Sequence, residues 1–261
     1  MGPFCVRSYP QIDKPAAMSG KLRLLTYNIH KGIGGADRRY RLERVIETLQ
    51  HCQPDIALLQ EVDDGVPRSG HERQVDLLAE AVGLPHQAYQ HNVRLKRGHY
   101  GNAVLSRFPL TSEADIDLTI PLKKRRRALV VRCRVPVGGH LRSLLVVNVH
   151  LGLSSMERQL QLRRLLKRHP LAHAAWRLPI AIGGDYNDVF GNLGKRVMFS
   201  QGFSSVGQKI RTFPAVLPVS SLDRIFYRGS LQLRHAFASR GQLARQASDH
   251  LPLVADFDII A

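Results

Sequence analysis

Ile180-Ala181-Ile182-Gly183-Gly184-Asp185-Tyr186-Asn187-Asp188 joins a short apolar run to two glycines, then to a carboxylate, an amide and a second carboxylate. The apolar run predicts a buried strand, and the polar residues stand where a strand hands over to a loop. In extended chain Asp185 and Asn187, two apart, point the same way. Gly183 and Gly184 would let a bulky substrate approach the backbone closely. The same arrangement recurs along the chain. Asn28 follows the strand pattern of residues 22–27, Gln60-Glu61 follow residues 56–59, and His150 follows residues 144–149. Asp223 heads Leu222-Asp223-Arg224-Ile225-Phe226, and Asp249-His250 precede Leu251-Pro252-Leu253-Val254. Strand ends and their loops are where a rigid scaffold presents reactive groups.

Between these strands the spacing turns helical. Leu42, Val45, Ile46 and Leu49 fit one helix, and Val75, Leu78, Ala79 and Val82 fit another that ends at Gly83. Ser154-Ser155-Met156-Glu157 reads as a capping box opening a helix through about Lys167. Ala103-Val104-Leu105 is a further strand, and residues 129–135 and 144–149 flank Gly138-Gly139 as a hairpin. Strands that arrive both as hairpins and through helices predict a mixed sheet, or two sheets packed face to face with helices outside.

Composition sets the frame for the chemistry. The chain has 261 residues, 44% hydrophobic and 23% charged, and no linker or repeat divides it. One domain over residues 21–261 follows, with residues 1–20, which hold three prolines, as a loose tail. Lys plus Arg number 38 against 21 Asp plus Glu, a net charge of +17 that favours polyanionic partners. The 3 cysteines, Cys5, Cys52 and Cys133, form no disulfide framework or zinc pattern and predict no disulfide-linked partner. No secretory h-region or spanning apolar run is visible, so a cytoplasmic location is expected, and the chain is taken as a monomer. Carboxylate and amide oxygens suit hard cations such as Mg²⁺ or Mn²⁺, and two histidines suit proton transfer or phosphate contact. Singly, each of these residues is more ordinarily a cap, a turn or a core histidine. Their recurrence at successive strand ends favours a shared site.

Thr26-Tyr27-Asn28-Ile29-His30-Lys31-Gly32, Leu59-Gln60-Glu61-Val62-Asp63, Gly101-Asn102-Ala103-Val104-Leu105-Ser106-Arg107, Asn148-Val149-His150-Leu151, Gly184-Asp185-Tyr186-Asn187, Leu222-Asp223-Arg224-Ile225 and Ser248-Asp249-His250 occur in that order. As an ordered set the chain resembles the endonuclease/exonuclease/phosphatase superfamily, the fold of DNase I and exonuclease III-type enzymes, from about Lys21 to Ile260. The resemblance implies a four-layer α/β sandwich, two packed mixed β-sheets flanked by helices. It implies divalent-cation-assisted phosphoester hydrolysis. Carried over, Glu61 is the leading metal ligand with Asn28 assisting, and Asp249 holds a second metal position or orients its neighbours. His250 is general base or phosphate contact with Asp223 orienting its ring. Asp185 and Asn187 position water and phosphate, and the base role falls to either His250 or Asp185. His150 stabilises the phosphorane or protonates the leaving group. Lys31, Asn102, Arg107 and Arg127 are the implied substrate contacts.

Lys123-Lys124-Arg125-Arg126-Arg127 is the densest charge run, Arg158, Arg163, Arg164, Lys167 and Arg168 add charge along one helix, and Arg94, Lys96, Arg97 and His99 precede Gly101-Asn102. A basic surface beside a phosphodiester-cleaving centre favours DNA or RNA as partner. The alternative is a phospholipid or inositol phosphate at an anionic membrane, where the same charge would serve docking.

Overall fold

The computed structural model describes residues 20–206 and 209–260, so the expected tail lies outside the described residues except for Gly20. In chain order the strands and helices are β1 (Lys21–Asn28), α1 (Leu42–Cys52), β2 (Ile56–Asp64), α2 (Gln74–Val82), β3 (His86–Arg94), β4 (His99–Ser106), β5 (Leu110–Asp117), β6 (Arg127–Val137), β7 (His140–His150), α3 (Ser155–Leu166), β8 (Ile180–Asp185), β9 (Ser204–Val206), β10 (Asp223–Arg228), β11 (Leu231–Ala238), α4 (Gln242–Ala247) and β12 (Leu253–Ile259). They form two six-stranded sheets, ordered β11-β12-β1-β2-β4-β3 and β5-β6-β7-β8-β10-β9.

Alternation along the strands builds the layers. Leu22, Leu24, Ile56 and Leu58 turn inward from the first sheet to meet Val131, Leu144, Val146 and Ile225 from the second. Leu25, Tyr27, Ala57 and Leu59 turn outward and pack under Leu42, Val45, Leu49, Val75 and Leu78 of α1 and α2. On the far side Leu145, Val147 and Ile182 pack under Leu162 and Leu165 of α3. The result is the four-layer sandwich with helices outside two mixed sheets.

Polar residues cross the middle of this core. The Gln60 side-chain amide donates to Asn148 Oδ1 at 2.8 Å and to Thr26 Oγ1 at 3.1 Å. Asn148 in turn donates to the carbonyls of Leu59 and Ala103, both at 2.8 Å. These amides tie the sheets together at the end where β1, β2, β7 and β8 finish. β1 runs parallel to β2 and β7 parallel to β8. Their carboxyl ends therefore share one rim, the usual place for a ligand in an α/β sheet.

Several local expectations change in the structure. Gly183 and Gly184 are buried within the sandwich rather than open to substrate. A Cβ on Gly184 would lie 1.9 Å from the Val149 carbonyl oxygen, and one on Gly183 would lie 2.5 Å from Leu58 Cδ1. The glycines let strands and sheets approach. The chain leaves extended geometry at Asp185, and Asn187 has φ +50°, so Asp185 and Asn187 are not two positions on one strand face. Ser154 caps α3 by accepting the Glu157 N–H at 3.2 Å. The reciprocal half of the capping box is replaced, because the Glu157 carboxylate accepts from Gln161 Nε2 at 3.2 Å and packs against Gly152. Cys52 and Cys133 are free and buried. No helix among the described residues is long and apolar enough to cross a membrane.

Candidate active site

Asp185 ends β8 and is 2% exposed. Its Oδ1 accepts the backbone N–H of Asn187 at 2.9 Å, which fixes the carboxylate as the strand turns into the loop. Its Oδ2 is the meeting point of three side chains. Asn28 Nδ2, from the end of β1 in the opposite sheet, donates to it at 3.2 Å. His150 Nε2, from the end of β7, stands 3.5 Å away, and His250 Nε2, just before β12, stands 3.7 Å away. The other His250 ring nitrogen, Nδ1, faces Asp223 Oδ2 at 2.9 Å. Ser248 braces the loop, donating to the Asn28 carbonyl at 2.7 Å and accepting the His250 N–H at 3.2 Å. Phe213 closes one side of the His250 ring, centroids 4.9 Å apart. Asn187 reaches the Leu151 carbonyl at 3.0 Å and so links the loops after β7 and β8.

Glu61 is delivered by a backbone irregularity. The pairing of β2 with β4 slips between Leu59 and Val62, and Glu61 has φ +58°. Such a bulge re-aims a side chain at the cost of local strain. Lys31 Nζ contacts the Glu61 carboxylate, and Lys31 itself has φ +65° and is held by Gln74 Nε2 donating to its carbonyl at 2.8 Å. Burial alone would raise the Glu61 pKa, but His150, Lys31 and His30 outweigh it and hold the carboxyl at about 2.

Opposite shifts separate the two histidines. Burial, reinforced by the Arg126 charge and opposed by Glu61, drives His150 well below the ordinary imidazole range. Burial acts on His250 in the same direction, but Asp223 and Asp185 overcome it and raise His250 to about 10. The Asp185 pKa rises because the group is desolvated, against the favourable His250 charge and with the unfavourable one of Asp223.

The structure thus unites Asn28, Glu61, His150, Asp185, Asn187, Asp223 and His250 at one rim. Asp249 is at the edge, its side chain 34% exposed and 3.8 Å from His30 Nδ1. Among the described residues Asp185, Asp223 and His250 are acidic and histidine groups lying close enough to share an ion, beside the expected metal set of Asn28, Glu61 and Asp249. His250 already spends Nδ1 on Asp223 Oδ2, while Asp223 Oδ1 has no hydrogen-bond partner among the described residues.

The expected substrate contacts divide. Lys31 and the buried Asn102 lie toward the site, and Asn102 Oδ1 has no hydrogen-bond partner among the described residues. Arg107 does not belong there. Its guanidinium pairs with Asp55 at 3.1 Å and its N–H donates to the Asp55 carbonyl at 2.9 Å, at the start of β2 and so at the opposite end from Glu61. Arg127 turns to Asp115 of β5 at 2.7 Å. The neighbouring Arg126 acts on the site instead. It is 5% exposed, its Nε is unpartnered among the described residues, and its charge bears on His150. Sequence reasoning missed it because five consecutive cations give no sign of which one turns inward. Lys31, Arg68 and Lys124 lie 5.9, 5.5 and 5.3 Å from the Tyr100 ring centroid, so part of the basic run borders Glu61.

Three comparisons agree with this architecture. The sequence profile of the Endonuclease/Exonuclease/phosphatase family matches residues 25–250. The chain is 30% identical over 259 residues to the uncharacterized protein YbhP of Escherichia coli (strain K12), covering 91% of this chain and 96% of that protein. Among solved structures, an endonuclease/exonuclease/phosphatase from Beutenbergia cavernae DSM 12333 superposes with a TM-score of 0.74 at 23% identity, over 92% of this chain and 72% of that one. ANGEL2, a 2′,3′-cyclic phosphatase in complex with adenosine-2′,3′-vanadate, superposes with a TM-score of 0.70 at 18% identity, over 93% and 97% of the two chains.

Proposed function

The chain belongs to the endonuclease/exonuclease/phosphatase family, whose members hydrolyse phosphoester bonds, and on that footing we propose that it is a divalent-metal-dependent phosphodiesterase that cleaves DNA or RNA. The observation that carries the proposal is the convergence of Asn28, His150 and His250 on one oxygen of Asp185. A water molecule on that oxygen would be oriented for attack and would give its proton to Asp185. His250, fixed by Asp223, presents Nε2 as a charged donor to a phosphate oxygen. His150 offers a hydrogen bond to the phosphate, and Arg126 adds positive charge behind it.

Glu61 and the Asn28 amide oxygen fit a hard divalent cation. Both offer oxygen, and Glu61 stays ionised despite burial, as a metal ligand must. When bound, the ion supplies charge neutralisation at the phosphate and the leaving oxygen. Lys31 now balances Glu61 and would be released to the substrate when that carboxylate is taken. The cations around Tyr100 support a polyanionic substrate, and the likeness to ANGEL2 supplies a nucleotide phosphoester on a similar fold.

The test offers purified protein and Mg²⁺ to plasmid DNA, single-stranded DNA, RNA and anionic phospholipid vesicles, with chelator and His250→Ala controls. Cleavage of a nucleic acid, lost with either control, is expected. Cleavage of lipid alone would move the substrate to the membrane, and cleavage of nothing would overturn the proposal.

A further inference from the structure

Behind the active site the chain buries a guanidinium that nothing neutralises fully. Arg224 follows Asp223 on β10, so the two side chains leave opposite faces of the strand. Asp223 serves His250, whereas Arg224, 2% exposed, lines a cavity of about 410 Å³. Its Nε and Nη1 have no hydrogen-bond partner among the described residues. Its Nη2 lies 3.5 Å from the Ser221 carbonyl and 3.9 Å from Asp188 Oδ2. Asp188 also faces Arg158 at 3.8 Å, so one buried carboxylate stands between two buried guanidiniums. A positive charge is left over. A buried charge without a partner is costly, and the cavity wall adds two more cations, Lys209 and Arg211, and no carboxylate.

Two chain segments join the cavity to the catalytic rim. The loop that carries Asn187 continues through Val189, Phe190 and Gly191 into the cavity lining. The segment that carries Arg211 continues through Thr212, whose Oγ1 accepts the Asp223 N–H at 3.4 Å, to Phe213 on the His250 ring. Phe190 is 81% exposed at the mouth. The uncompensated Arg224 charge behind the wall, with Lys209 and Arg211 exposed on it, fits an anionic phosphate, and an exposed ring at the entrance fits a stacked base.

We propose that the Arg224 cavity is a second phosphate subsite, which takes a phosphate of the nucleic-acid strand next to the one being hydrolysed. The inference rests on the phosphodiesterase reading above and deepens it, since it makes a polynucleotide rather than a single-phosphate ester the preferred substrate.

The experiment compares a single-stranded oligonucleotide with bis(p-nitrophenyl) phosphate in the Mg²⁺-loaded enzyme. Arg224→Met removes the buried donor, and because that variant can fail to fold, Lys209→Ser combined with Arg211→Ser strips only the exposed cations. Each should raise the oligonucleotide KM by about tenfold and lower the oligonucleotide-to-ester ratio of kcat/KM, with a shallower salt dependence. Parallel losses on both substrates, or an unchanged ratio, would overturn the subsite and leave the phosphodiesterase standing. If the wild-type protein hydrolyses neither substrate, the phosphodiesterase reading fails by itself. The subsite is then judged by fluorescence anisotropy with a labelled oligonucleotide, where a weakening of about tenfold in the double variant supports it and unchanged affinity overturns it.

Discussion

Burial alone would strip the proton from the His250 imidazole, yet Asp223 at 2.9 Å and Asp185 at 3.7 Å raise its pKa to about 10. The folded value lies above the ordinary ~6.5. Its contribution to stability is therefore fully present below about 6.5 and is lost as pH rises through the folded value. Long-range ¹H–¹⁵N spectra of the wild type should show a protonated imidazole at pH 8. Asp223→Asn should leave it neutral at that pH and cut turnover by about 10²–10⁴, and a neutral wild-type ring would contradict the pairing with Asp223. Glu61→Gln keeps the shape but removes the charge, so it should abolish turnover at ordinary Mg²⁺ and recover only partly with excess Mn²⁺. Calorimetric titration of the divalent ion would check this, and unchanged ion affinity would remove Glu61 from the ligand set. Groups such as Glu61, Asp185 and His250 were legible in the sequence because a polar residue ending an apolar run is conspicuous. Arg126 and Arg224 were not, since a cation in a charge run or a strand carries no mark of burial. For Arg224 one signal existed, its position one step beyond Asp223 on a strand. Arg107 misled because its motif lies on β4, whose end points away from the rim.

Elements with a local signature were readable. α1 and α2 show helical spacing, and Gly83 ends α2 in the left-handed region at φ +67°. Gly138 and Gly139, φ +56° and +80°, make the two-residue turn between β6 and β7. β5 and β11 had no such mark. Leu110-Thr111-Ser112-Glu113-Ala114-Asp115-Ile116-Asp117 is mostly polar and sits at a sheet edge, so its extension comes from pairing with β6 rather than from its own pattern. The bulge at Glu61 was equally hidden, because a register slip depends on the partner strand. Two glycine substitutions separate local strain from close packing. Gly138→Ala meets nothing within 4 Å and bears only the positive φ, about 1–2 kcal/mol. Gly184→Ala drives a methyl into the Val149 carbonyl at 1.9 Å and must push β7 from β8 beside Asp185. Thermal denaturation should show a drop of a few degrees for the first and a far larger drop, or no folded protein, for the second. Equal melting points would remove Gly184 from the packing argument.

Sheet order is a property of the whole chain. Lys21 pairs with Asp258 and Leu22 with Phe257, contacts between opposite ends of the sequence that no periodicity reports. Only the ordered set of motifs carried that information. Charge, by contrast, was legible in amount but not in placement. Along α3, Arg158 is buried and donates to the Leu153 carbonyl, and Arg164 donates to the Thr119 carbonyl at 2.8 Å, so this helix is not the free basic face its sequence suggested. The loop before β6 is different, because Lys124 and Arg126 stand beside Tyr100 and His150 at the rim. If the +17 charge serves strand binding, its effect should be concentrated there. Anisotropy of a labelled single strand between about 50 and 200 mM salt should give a linear fall of log affinity with log salt. Lys124→Ser should make that slope shallower by about 0.7, one phosphate contact on a single strand. Lys21→Ser, an exposed cation at the start of β1 and the opposite end of the sandwich, should leave the slope unchanged. Equal effects from the two variants would mean that net charge, and not the rim, holds the nucleic acid.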